Sequence, residues 1–118
     1  MKKDMKKKWI KALRSGQYDQ TTGSLVDPEG KSFCCLGVLC NIQPGVVWGS
    51  RSASIEEFDD PIAFDGNKKI GEFGCLTKTF KKKIGLKEET ENKLISMNDE
   101  GASFDAIANY IQENIRGY

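Results

Sequence analysis

Trp9-x-x-Ala12-Leu13-Arg14-Ser15-Gly16-x-Tyr18-x-Gln20-x-x-Gly23-x-Leu25, followed by Phe33-Cys34-Cys35-Leu36-Gly37-Val38-Leu39-Cys40, decides how the fold of this 118-residue chain is read. Met5, Trp9, Ala12 and Leu13 recur at i, i+4, i+7 and i+8, which is one face of an amphipathic helix with Trp9 in the core. Gly16 stands where a left-handed C-terminal cap belongs. The apolar run from Phe33 to Ile42 reads as a buried helix with Ser32 as its N-cap, ending before Pro44-Gly45. Between them, Asp27-Pro28-Glu29-Gly30 has the residues of a type I turn, so Leu25 to Phe33 reads as a short hairpin.

Working outward, residues 43–60 read as irregular, and Ile62 to Ile70 as a second hairpin around Asp65-Gly66. Thr77 caps a short helix to Ile84, stopped at Gly85. Glu88, Glu89 and Glu91 suit the positive dipole end of the next helix, which runs through Leu94 and Met97 to a stop near Gly101. Ser103 opens a last helix with Phe104, Ile107, Ala108, Ile111 and Ile115 on one stripe. The expectation is a single α+β domain over residues 1–118, two short β-hairpins packed against about five helices.

Composition excludes several functions. The chain has no histidine, which removes Ser-His and Cys-His nucleophile pairs and histidine metal sites. The adjacent acids Glu56-Glu57 and Asp59-Asp60 read as a surface turn, not a catalytic pair. No phosphate-binding glycine loop is present. Neither a catalytic residue nor a cofactor is therefore expected, and the chain is read as non-enzymatic. Cys34, Cys35, Cys40 and Cys75 lack knuckle spacing, because Leu-Gly-Val-Leu separates Cys35 from Cys40. They read as free thiols acting as small buried hydrophobes, with no metal. No apolar run approaches the ~20 residues of a membrane span, so no membrane is expected.

Net charge is only +1, but it is segregated. Residues 1–14 hold seven basic side chains and one acidic; residues 15–66, two and eight; residues 67–87, seven and one; residues 88–118, two and seven. Such blocks place a basic face suited to an anion, or else meet one another within the fold or across a homo-oligomer, which is the expected assembly. Residues 94–108 resemble the first helices of a helix-turn-helix reader. The segment is acidic and lacks a following recognition helix, so nucleic acid is not the expected partner. An EF-hand fails as well, because Ile107 would fall at the bidentate position.

A binding protein remains. Arg14 offers a planar fork for phosphate, Tyr18 a stacking face, and Gln20 and Thr22 polar edges. Trp48 and Arg51 form a second group of the same kind. Asn98 and Asp99 either cap a helix end or face the ligand. Arg14 and Tyr18 equally suit a structural role, capping the helix and covering the core.

The residues quoted at the start, together with Met97-Asn-Asp-x-Gly-x-Ser-Phe104-x-x-Ile107-Ala108-x-Tyr110-Ile111, resemble a family of small uncharacterised bacteriophage proteins. The resemblance implies an accessory, counter-defence role in the cytoplasm of an infected host. It carries no residue roles. The resulting expectation is a phage protein that sequesters an anionic, nucleotide-derived signalling molecule. Inhibition of a host defence protein by direct contact is the alternative, and a DNA-binding accessory role stands third.

Overall fold

A computed structural model describes residues 1–49 and 61–118. Its elements are α1 (Lys3–Arg14), β1 (Asp19–Gln20), β2 (Ser32–Phe33), α2 (Cys35–Asn41), β3 (Val46–Gly49), β4 (Ile62–Asp65), β5 (Lys68–Glu72), β6 (Cys75–Leu76), α3 (Lys78–Ile84), α4 (Glu88–Asp99) and α5 (Phe104–Asn114). The expected α+β class is what forms: helices segregated from a four-stranded antiparallel sheet in the order β3-β4-β5-β6, with a separate two-stranded pair.

The centre of the molecule is α2. Cys35, Leu36, Val38, Leu39 and Cys40 are all fully buried, as α1, α4 and β2 pack against the helix and Cys40 lies beside Gly71 of the four-stranded sheet. Trp9 docks α1 onto it, donating Nε1–H to the Cys35 carbonyl at 2.9 Å. Gly37 is required by the approach of the Leu25 loop, since a Cβ there would sit 1.8 Å from the Leu25 carbonyl oxygen. The Leu25 side chain continues to Gly71, where an added Cβ would lie 2.8 Å from its Cδ1. One leucine thus wedges helix against sheet between two glycines.

The helix ends obey local chemistry. Thr77 and Ser103 accept from the backbone N–H three residues on, and Gly85 stops α3 at φ 76°. Gly16, just past α1, takes φ 74°. The stripe Phe104, Ile107, Ala108, Ile111 and Ile115 is buried throughout.

Four details depart from the sequence reading. Helix α2 starts at Cys35, not Phe33, and its N-cap is Cys34, whose Sγ accepts from Gly37 N–H at 3.3 Å. Ser32 and Phe33 instead form β2, paired parallel with β1 in the register Asp19↔Ser32. The expected hairpin survives only as the Asp27–Gly30 turn and a single antiparallel bridge, Val26↔Phe33. The second hairpin forms, but its loop is Gly66-Asn67, and it gains β3 and β6 as flanking strands.

One buried ion pair joins the sheet edge to the helices. Lys81 Nζ lies 2.7 Å from Glu91 Oε1, and Glu91 Oε2 accepts Leu76 N–H at 2.8 Å. The contact with Glu91 raises the Lys81 pKa.

Candidate functional site

Helix α1 turns Met5, Trp9 and Leu13 toward the core, so its lysines are left along the outside. Where α1 runs beside α5, they wall a groove of about 680 Å³, lined by Lys3, Lys6, Lys7, Lys11 and Arg14. Ile10 and Gln112 supply part of the remaining wall. The volume falls within the roughly 300–1,000 Å³ of small-ligand sites. Two α5 side chains fix its inner end: Arg14 Nη2 donates to Asn109 Oδ1 at 2.6 Å and to Gln112 Oε1 at 3.0 Å. Lys6 Nζ donates to the Gln112 carbonyl at 3.1 Å. These acceptors are neutral oxygens, so they orient the cations without cancelling charge. Among the described residues no ion pair involves any cation of residues 1–14.

This arrangement runs against local helix preferences. Lys3, Lys6 and Lys7 stand at the positive end of the helix dipole, with Asp4 the single acid in the first turn. Lys3–Lys7 and Lys7–Lys11 are like-charge i,i+4 pairs, each unfavourable by a few tenths of a kcal/mol.

The sequence-based candidates separate into three places. Arg14 belongs to the basic groove. Tyr18 and Trp48 lie elsewhere, held by one residue at the end of α2: Asn41 donates Nδ2–H to the Tyr18 hydroxyl at 2.9 Å and accepts Trp48 Nε1–H at 3.0 Å. Both rings pack on Phe33, Tyr18 edge-on at 5.1 Å and Trp48 tilted at 6.1 Å. They cover the core, and neither lines the groove with Arg14.

Gln20, Asn98 and Asp99 meet at a third place. Asn98, only 1% exposed, accepts from Cys35 N–H at 3.2 Å and from Gln20 Nε2 at 2.9 Å, and donates to the Thr21 carbonyl at 2.8 Å. Gln20 also donates to the Ala102 carbonyl at 2.7 Å. Asp99 accepts Gly23 N–H at 3.2 Å. Asn98 therefore ties α4, α2 and the 20–23 loop together. Thr22 is exposed. Arg51, like Ser52 and the acids Glu56 to Asp60, lies outside the described residues.

The thiols are free, and Cys34, Cys35 and Cys40 are buried. Burial pushes the Cys34 thiol up to about 11 and raises Cys35 and Cys40 as well, so none is a thiolate near neutrality. Cys75 is exposed, which corrects the expectation that all four are hidden. Among the described residues no cluster of three or more carboxylates and thiols is placed to hold a metal. No described helix is long and apolar enough to cross a membrane.

Sequence reasoning missed Lys3, Lys6, Lys7 and Lys11 as one wall, and Asn109 and Gln112 as the partners of Arg14. The i, i+3, i+4 spacing of the lysines was the available signal. Residues 1–115 match the family described as Domain of unknown function (DUF8296). The chain belongs to DUF8296. No curated protein and no solved structure matches it. The DUF8296 match takes in all of α1 and α5, and so nearly the whole basic groove.

Proposed function

We propose that this DUF8296 chain is a non-enzymatic binding protein that sequesters an anionic, nucleotide-derived small molecule in the α1/α5 groove, as a phage counter-defence factor in the host cytoplasm. One observation carries the reading: five cations line a single groove, and none of them is ion-paired among the described residues. Like charges stacked at i,i+4 beside a positive dipole end are a cost to the free protein. A bound phosphate relieves that cost, because it pairs with several ammonium groups at once and meets the Arg14 fork.

Base recognition by Tyr18, Trp48 and Gln20 plays no part in this binding mode, since those side chains are engaged away from the groove. Ile10 and the aliphatic stems of the lysines provide its apolar contact.

Thermal-shift and calorimetric titration against cyclic oligonucleotides and cyclic ADP-ribose isomers tests the proposal. A true ligand at a hundredfold excess over Kd stabilises the fold by about 2.7 kcal/mol, and Lys7→Glu with Lys11→Glu abolishes the shift. A panel with no ligand, or a ligand whose binding ignores that double variant, removes the proposal.

A further inference from the structure

A smaller cleft of about 110 Å³ lies apart from the basic groove, where the 23–24 loop, the start of α2, the β5–β6 turn and the end of α4 converge. Its volume is well below the roughly 300–1,000 Å³ of small-ligand sites, so it excludes a nucleotide and takes at most the end of a side chain. Ile95 gives it an apolar wall above the fully buried Leu36, and the thiols of Cys34 and Cys75 border it. Burial raises both thiols, which keeps them neutral near pH 7. The charge in the lining is Asp99, an exposed carboxylate that takes Gly23 N–H and joins no ion pair among the described residues.

The remaining wall is unusual. Phe73 and Gly74 form the two-residue loop between Glu72 and Cys75, and both have positive φ, 54° and 76°. Such a turn prefers Asn-Gly, Asp-Gly or Gly-Gly. Phe73 is the one non-glycine residue with positive φ among those described, and a bulky side chain is a true outlier there. The strained backbone holds an aromatic ring 56% exposed at the lip of the cleft. Strain kept at a concave site points to use.

We propose that this cleft receives the end of a lysine or arginine side chain of a partner protein, its alkyl stem against Ile95 and the Phe73 ring and its cationic head at Asp99. The charge complementarity selects the occupant: a carboxylate beside an aromatic face and an apolar wall favours a cation on a short apolar stem. This site is independent of the anion groove, whose sign is opposite.

The test is NMR titration of the full chain at constant ionic strength with capped lysine, capped arginine, capped norleucine and putrescine, following the Gly23, Gly74 and Asp99 amides. The two capped cations bind saturably, with norleucine about threefold weaker, within the range of an exposed charge contact. Asp99→Asn keeps an oxygen for Gly23 N–H but removes the charge, so it erases the preference over norleucine. Phe73→Asn supplies a residue the turn favours and weakens capped lysine several-fold. Equal binding of norleucine, no shift with either capped cation, or undiminished lysine binding by Phe73→Asn overturns the proposal. Putrescine binding tenfold more tightly than capped lysine overturns the choice of a protein partner.

Discussion

Replacing Asn98 with alanine removes three hydrogen bonds from one buried point, and their unequal environments set the cost. Gln20 is exposed, so its amide regains water and its loss contributes little. The Thr21 carbonyl is half-buried and loses a bond of about 0.5–1.5 kcal/mol. The Cys35 N–H lies in the fully buried first turn of α2, and leaving it without an acceptor costs about 1–3 kcal/mol. The total is about 3 kcal/mol, or a fall in Tm on the order of 10 °C for a chain of this size. Asn98→Asp keeps an acceptor for Cys35 but turns a second carboxylate oxygen toward the Thr21 carbonyl, and is expected to be at least as damaging at pH 7. Urea denaturation and thermal unfolding read both variants. A loss below about 1 kcal/mol for Asn98→Ala refutes the assignment of Asn98 to the fold and returns it to a ligand-facing role.

Three further outcomes follow from the same geometry. Glu91→Ala leaves the buried Leu76 N–H without its acceptor and Lys81 with only Glu88, 3.9 Å away, and equilibrium unfolding should show a loss of about 2–4 kcal/mol. Because Glu91 raises the Lys81 pKa, the stability this pair contributes is fully present below the ordinary lysine value of 10.5 and is lost as pH climbs through the folded value. Thermal scans from pH 9 upward follow that decline. Gly37→Ala places a Cβ on the Leu25 carbonyl, so the variant should lose cooperative unfolding or about 4 kcal/mol or more by urea titration. Ellman's reagent at pH 8 should modify one thiol quickly in the native protein, Cys75, and all four in denaturant; rapid native modification of Cys34 or Cys40 would contradict their burial.

The legible parts of the sequence were those decided locally. Thr77, Gly85 and Ser103 announce their helix ends because a cap is a contact between residues three or four apart. The α1 and α5 stripes were legible for the same reason. What failed depended on distant partners. Ser32 looks like an N-cap in isolation, but Asp19 pairs with it across twelve intervening residues, and the cap passes to the Cys34 thiol, a rare choice. Strand β6 is only two residues long, and β3, as long as β4, pairs with it across twelve intervening residues instead of through a tight turn, so neither declares itself locally.

The site shows the same division. Arg14, Tyr18 and Gln20 are neighbours in sequence, yet α1 ends between the first and second, and the three side chains reach α5, α2 and α4 respectively. Lys3, Lys7, Lys11 and Arg14 are farther apart in sequence but share one helix face, and so one groove. Helical periodicity, more than sequence adjacency, was the guide to the basic surface.

Whether that surface holds a ligand or is merely solvated is decided by calorimetric titration of inorganic tripolyphosphate into the native chain and into Lys7→Glu/Lys11→Glu at low ionic strength. Saturable one-to-one binding that weakens with added salt and vanishes in the double variant is the expected result. Absence of heat with the native chain, or the same isotherm for both proteins, contradicts it.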